Sequence, residues 1–315
     1  MRKYIILGTA LLTILATGSC KKDEESTTKP SLSGLSINSV SVYVEAGETL
    51  TFKADVSSIA ASDKSHPTIG LYWQVNTAKK DTLTRDITKS NPDFVYTADT
   101  LGTYTVYCYA FAGSDYYNTS ASTSFKAIDP LEVIKGYDGS YSSIEIVAQD
   151  GKTWDRFNQF DNEYGLSFRD SPALDFPVGR LYNQEEAKTL CSDGTHLPSV
   201  ADFYSSFGQA DGNILAAEMM ADATFDGNKM WEYFPAVQIS NAKHFNAIPL
   251  GYVDITDSFN TYSHYGEYAC YWTKDEENGM GKYLYIYAGN PVMQEGLGDK
   301  KTLYMSVRCV RDGIN

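Results

Sequence analysis

Side-chain chemistry needs nucleophiles, bases or metal ligands at workable spacing, and the 315-residue chain offers few. Its four histidines are His66, His196, His244 and His264, and no two stand at metal-ligand spacing. The patterns H-E-x-x-H, C-x-x-C and G-x-S-x-G are missing, and so are the zinc, thiol-redox and serine-nucleophile chemistries they carry. One pair invites a covalent mechanism. In the run Cys191-Ser192-Asp193-Gly194-Thr195-His196-Leu197-Pro198-Ser199, Cys191 could be a thiol nucleophile and His196 its base. Closeness in sequence does not make such a pair, which is defined by geometry and roles. The densest carboxylate run, Asp275-Glu276-Glu277, fits a solvated loop better than a paired acid and base. No catalytic residue, metal site or cofactor is therefore expected.

Recognition is the better-supplied chemistry. Aromatic residues make up 13% of the chain, and 24 of them are tyrosines, which offer an apolar face and a hydroxyl together. Two stretches concentrate them. Met230-Trp231-Glu232-Tyr233-Phe234 puts three aromatics into five residues, and Asp254 to Tyr265 mixes aromatics with Asp, Asn, Ser and Thr. Sugars present apolar C–H faces ringed by hydroxyls, so a recogniser combines flat rings with short hydrogen-bonding side chains. On this logic Trp231, Tyr233, Tyr262 and Tyr265 form a stacking platform, and Asp257, Asn260 and His264 bond hydroxyls. The competing reading has Trp231 and Phe234 closing the core beneath the loop, as large aromatics commonly do. The E-P-N, Q-P-D and W-N-D triplets of calcium-dependent lectins are absent. A net charge of −14 argues against nucleic acid or an anionic membrane surface as partner.

The elements that must position these residues fall into two groups. Residues 33–129 carry short alternating strands with no helical period. Leu50, Phe52, Ala54 and Val56 alternate on one face, Leu71, Trp73 and Val75 form a second strand, and Phe94 and Tyr96 lead into a third element. Tyr104, Val106, Cys108 and Ala110 share a face of the last. This spacing suits a β-sandwich. The run Gly102-Thr103-Tyr104-Thr105-Val106, preceded by Trp73-x-Val75, resembles PKD and immunoglobulin-like modules. Cys108 then sits where an antibody domain has its second cysteine, but the facing strand has none, so it is expected as a buried apolar thiol.

After Asp129-Pro130 and the Gly136–Gly139 stretch, residues 137–313 read differently. A strand from Ser140 to Ala148 precedes an Asp150-Gly151 hairpin turn. Asn183 and Glu186 form a capping box for a helix that runs to about Cys191. A second helix starts at Ser199, with Asp202 reaching back toward it and Val200, Phe203, Tyr204 and Phe207 on its buried face, and a third lies near Ile214 to Asp222. Strands and Gly- and Asn-rich loops follow, closing on Ser306-Val307-Arg308-Cys309-Val310-Arg311-Asp312.

The Cys191–Ser199 and Ser306–Asp312 stretches, with Trp154, Phe245–Tyr252 and Ala269–Thr273, resemble the Fibrobacter succinogenes major paralogous domain. That module is common in Bacteroidetes surface lipoproteins. Its usual patterns are C-P-x-G-W-H-L-P-[ST] and S-V-R-C-V-[RK]-D; Thr195 stands here for the tryptophan, and His244 for a glycine before Phe245. The resemblance implies an α+β, C-type-lectin-like domain related to formylglycine-generating enzymes. It makes His196 structural and implies a Cys191–Cys309 disulfide, leaving Cys270 over. It also puts the ligand in the loops from about Thr224 to Tyr265.

Residues 1–20 read as an export signal. Arg2-Lys3 precedes an apolar run from Tyr4 to Ala16, too short to span a bilayer. Thr17-Gly18-Ser19-Cys20 resembles a lipobox, which implies acylation of Cys20 and an outer-membrane anchor. Residues 21–32 are a charged, Ser/Thr-rich tether, and Lys21-Lys22-Asp23-Glu24-Glu25 resembles the surface-export signal of Bacteroidetes lipoproteins. The resulting expectation is a surface-exposed, lipid-anchored, two-domain protein that binds a glycan. A protein ligand on a host or bacterial surface is the alternative, and a SusC/SusD-like pair is a conceivable partner complex.

Overall fold

The computed structural model describes residues 29–77, 82–87, 92–138, 144–161, 163–192, 194–232, 237–256 and 262–313, without the side chains of residues 77 and 82–87. The chain is mostly β, built as many small sheets with four short α-helices among the described residues.

In the N-terminal part, strict alternation produces two facing sheets. The Thr49–Asp55 strand buries Leu50, Phe52 and Ala54 and exposes the residues between them, because successive side chains of a strand point to opposite faces. This strand lies between Ser36–Ile37 and Asp93–Thr97. The larger sheet runs in the order Tyr43–Glu45, Thr119–Ile128, Gly102–Phe111, Gly70–Thr77, Thr82–Ile87. Its inward side chains, including Trp73, Val75, Tyr104, Val106, Cys108 and Phe125, meet Phe52 and Phe94 in one core. Tyr104 and Phe125 stack at 5.0 Å, and Trp73 stacks on Phe94 at 5.4 Å. Val56 departs from the expected pattern and is exposed. The strand ends at Asp55, whose carboxylate accepts from Ser57 N and turns the chain away first. Cys108 is buried beside Trp73 as a free thiol, and burial pushes its pKa up to about 12.

The connection that the sequence marks as a link is packed. Ile128, Val133 and Ile134 are buried in one cluster with Phe168, Leu174, Ala223 and Phe225. Ile134–Lys135 pairs with Thr224–Phe225. Gly136 follows at φ +91°, and a Cβ there would lie 2.4 Å from Asp222 O, so glycine is required at this crossing. Tyr43 meets Phe225 edge-on at 5.2 Å, and Lys126 pairs with Asp226. The N-terminal sheet therefore rests on the C-terminal part through a shared apolar seam.

The C-terminal helices are α1 (Asp175–Val178), α2 (Gln184–Leu190), α3 (Val200–Phe207) and α4 (Ala216–Met219). Both expected capping boxes form. Asn183 accepts from Glu186 N at 2.9 Å, and Asp202 accepts from Ser199 N at 2.8 Å. Asp275 adds a second carboxylate at the start of α3, accepting from Val200 N at 2.6 Å. The third helix is a single turn rather than Ile214 to Asp222, because Leu215 and Met220 are extended and bridge to Val292 and Ala247. Of the expected Ser140–Ala148 strand, Glu145–Val147 is seen, and residues 140–143 lie outside the described residues.

The closing segment is two short strands, Leu303–Tyr304 and Val310–Arg311, around a fully buried stretch. Arg308 in that stretch is 1% exposed. Its guanidinium donates to Asn158 Oδ1 at 2.8 Å, Asp155 O at 3.0 Å and Asn246 O at 3.2 Å, and lies 4.6 Å from the Phe245 ring centre. A buried cation is tolerated because its N–H groups find carbonyl partners and an aromatic face. His196 exchanges both backbone bonds with Val310, which lays the seam between α2 and α3 against the closing strand. Cys191 and Cys309 are joined by a disulfide across 118 residues, with Cα atoms 5.6 Å apart.

Candidate functional site

The central hairpin of the C-terminal part has two different faces. Tyr268–Glu277, Met280–Tyr287 and Gln294–Gly298 form an antiparallel sheet. Asn278 and Gly279, both at positive φ, make its two-residue turn. Ala269, Tyr271, Leu284 and Ile286 point to the core under α3. The alternate residues Tyr268, Cys270, Trp272, Tyr283 and Tyr285 face the other way, toward Tyr182, Met305 and Val307. A second small sheet, Tyr262–Ser263, Tyr252–Asp254 and Leu303–Tyr304, turns Tyr252, Asp254 and Leu303 toward the same space.

Between these sheets is a cleft of about 460 Å³ lined by Tyr252, Tyr268, Tyr283 and Tyr285, with Asp254 and His264 on its rim and Cys270, Leu303 and Met305 deeper. Gly296 gives the Tyr283 ring its place, since a Cβ there would be 2.3 Å from the ring. Tyr268 packs against Tyr287 at 4.8 Å and Tyr285 at 5.7 Å, and His264 tilts against Tyr252 and Tyr268 at 5.5 and 5.0 Å. The Tyr285 hydroxyl is bonded to Gln294 Oε1 at 2.8 Å. Those of Tyr252, Tyr268 and Tyr283 have no hydrogen-bond partner among the described residues. Burial raises the pKa of all three, that of Tyr283 to about 12, so each remains a neutral donor–acceptor near neutral pH. Half-buried rings with open hydroxyls can stack on a ligand and bond its polar rim.

Of the four expected ligand-binding residues that are described, His264 reaches the cleft, while Trp231, Tyr262 and Tyr265 pack elsewhere. His264 lines the cleft, its Nδ1 3.3 Å from Glu267 Oε2. Trp231 is 2% exposed and packs in the core, so it offers no ring face. Tyr262 is tied down by its hydroxyl, which donates to Ser167 O and accepts from Asp170 N at 3.3 Å, while its ring meets Phe168 edge-on. Tyr265 packs on Phe168, and the Arg169 guanidinium covers its ring at 4.5 Å. The apolar cluster around Phe168 thus draws both tyrosines away from a common exposed surface. Tyr233, Asp257 and Asn260 lie outside the described residues, as does Cys20.

Cys191 is disulfide-bonded and has no thiolate to offer His196. His196, Asp202 and Asp312 bring ligand-type atoms within 4.8 Å of one another. Asp202 there serves the α3 cap, and Lys152 and Lys274 stand 3.5 and 3.8 Å from its carboxylate. Two ammonium groups so placed oppose a divalent cation. A smaller hollow of about 190 Å³ elsewhere is lined by Ile144, Phe157, Phe160 and Phe176 with Asp155, Asn158 and Gln159. Among the described residues, no helix is long and apolar enough to cross a membrane.

The class these features define is a β-rich protein whose last strand is covalently tied to an early helix of its C-terminal part. Residues 70–311 match the Fibrobacter succinogenes major domain, and the chain belongs to that family. The match begins at Gly70, in a strand of the N-terminal sheet, upstream of the Gly136–Gly139 stretch. Among curated proteins, no sequence matches the chain.

Proposed function

We propose that this protein is a non-catalytic, lipid-anchored outer-membrane protein, displayed at the cell surface, that binds a carbohydrate through the tyrosine cleft. In this reading an Ig/PKD-like sandwich acts as a spacer below a C-type-lectin-like binding domain. The observation that carries it is the set of three tyrosine hydroxyls around one cleft that have no hydrogen-bond partner among the described residues. Hydroxyls left open on half-buried rings suit a ligand that is apolar on its faces and hydroxylated at its edges. The Thr17–Cys20 pattern and the charged tether after it support the anchor. The test is a glycan array with the full chain, followed by calorimetry with Tyr268→Ala. A hit whose affinity falls at least about tenfold in the variant, as expected for losing one stacked aromatic, supports the reading; a hit that the folded variant binds unchanged removes it.

A protein ligand is the second reading. The exposed Phe160 and Phe176, in edge contact at 5.5 Å beside Ile144, form an apolar patch suited to a protein partner. Capture of a host or bacterial surface protein that is lost in Phe160→Ser but kept in Tyr268→Ala would favour it.

A further inference from the structure

The cleft has a charge as well as a shape. Among the described residues no lysine or arginine lines it; its histidine, His264, is paired with Glu267 at 3.3 Å, and Asp254 stands on its rim. Asp254 Oδ1 is occupied, accepting from Thr256 N at 2.9 Å and Thr256 Oγ1 at 2.7 Å. Its other oxygen has no hydrogen-bond partner and no ion-pair partner among the described residues. Glu295, the other carboxylate beside the cleft, alternates to the opposite side of its strand. There Glu295 is 3.7 Å from Lys282 Nζ, which balances part of its charge. Among the described residues, one uncompensated carboxylate therefore remains on the cleft, beside four tyrosine rings.

Each part of this arrangement discriminates by charge. Tyrosine faces carry the negative end of the ring quadrupole and attract cations, and a group of such rings is a known way to hold an ammonium. A carboxylate with a free oxygen offers that ammonium a charge-assisted bond. The same groups repel an anion, and the chain's net charge of −14 adds to the repulsion at long range. The tyrosine hydroxyls, protonated near neutral pH as ordinary phenols are, can also donate to the ring oxygens and hydroxyls beside such an amine.

We propose that the cleft selects saccharides bearing a free amine, the hexosamine class, over their N-acetylated counterparts and over uronic acids. The amine sits against the Tyr252 and Tyr268 rings with Asp254 as its counter-ion, while Tyr283 bonds a neighbouring hydroxyl. This rests on the carbohydrate reading of the same site.

The experiment is calorimetric titration of the full chain in detergent with three probes: glucosamine hexamer, N-acetylglucosamine hexamer and galacturonic acid hexamer. Near pH 6 and at low salt, the glucosamine hexamer is expected to bind at least about tenfold tighter than the N-acetylated one, the size expected of a cation–π contact plus a charged bond. The galacturonate is expected to give no heat. Asp254→Asn, which keeps the shape, should reduce that preference below about twofold, and raised salt should narrow it in the unaltered chain. Equal affinity for the two glucosamine forms, a preference that survives Asp254→Asn, or binding of the galacturonate would each overturn the proposal. If none of the three binds but another neutral saccharide does on the array, the amine preference fails and the carbohydrate reading stands. If no saccharide binds at all, both fail.

Discussion

A single carboxylate shows how much one side chain can organise. Asp150 sits in the turn after Glu145–Val147, where its position beside Gly151 marks a hairpin. It also reaches the Lys152 ammonium at 2.8 Å, Ser205 Oγ at 2.7 Å and Ser206 Oγ at 3.0 Å. Ser206 in turn accepts from the buried Trp154 indole at 2.9 Å. The turn is thereby fastened to α3, and the tryptophan is oriented from outside the core. Burial opposes ionisation of Asp150, but the ammonium and the two hydroxyls outweigh it and hold the pKa at about 2, against 3.8 for a free carboxylate. A folded pKa below the unfolded one contributes stability that is present above about pH 4 and lost as the pH falls toward 2. Asp150→Asn should therefore cost about 2 kcal/mol at neutral pH, and the gap from wild type should close in urea titrations toward pH 2. A gap that stays constant with pH would show that packing, not charge, is at work.

At the scale of the element, the Met280–Tyr287 strand matters most to the candidate site. Its alternation of Tyr283, Tyr285 and Tyr287 with Leu284 and Ile286 puts hydroxylated rings on one face and aliphatic carbon on the other. The space for those rings comes from the neighbouring strand, at Gly296. The atoms that an added Cβ would strike are the far end of the Tyr283 ring. Gly296→Ala should accordingly swing the ring into the cleft and cost only about 1 kcal/mol of stability, while saccharide affinity drops at least about tenfold. Thermal melts and titrations on one preparation check both, and unchanged binding would mean that Tyr283 does not shape the site. This strand also shows where sequence legibility ended. The capping boxes at Asn183 and Ser199 and the inward face of Gly102–Phe111 were readable from local spacing, and Trp154 from the family resemblance. The Tyr-Leu-Tyr-Ile-Tyr alternation and the Asn278-Gly279 turn also stand in the sequence and carry the signal of a two-faced hairpin, which a reading as strands and Gly- and Asn-rich loops passes over. What spacing could not tell was which aromatics face a common cavity. That depends on how two small sheets meet, and it left Trp231, Tyr262 and Tyr265 on packing duty while Tyr252, Tyr268 and Tyr283 line the cleft.

At the scale of the whole molecule, stability rests on many small sheets that bury little surface each, so long-range ties matter. The N-terminal sheet is held by the apolar seam through Ile128, Val133 and Ile134, and the C-terminal part is closed by Cys191–Cys309. Family resemblance, rather than spacing alone, made that pairing readable. A loop of 118 residues loses much denatured-state freedom when closed, which stabilises by about 5 kcal/mol in the chain-entropy account. The chain has five cysteines, and the other two within the described fold, Cys108 and Cys270, are buried thiols. Burial raises the pKa of both, to about 12 for Cys108 and further for Cys270. Little thiolate then forms near neutral pH, and exchange with the disulfide is suppressed. In protein carrying Cys20→Ser, a thiol reagent should find no fast-reacting group in the folded state and two after denaturation without reductant. Adding Cys191→Ser and Cys309→Ser should lower the free energy of unfolding by about 5 kcal/mol, with the same two thiols found on denaturation. Four thiols in the denatured, unreduced parent would show that the bridge does not form in the cell, and the closing strand would then be held without a covalent tie, by Arg308, the His196–Val310 ladder and its pairing with Thr153–Asp155.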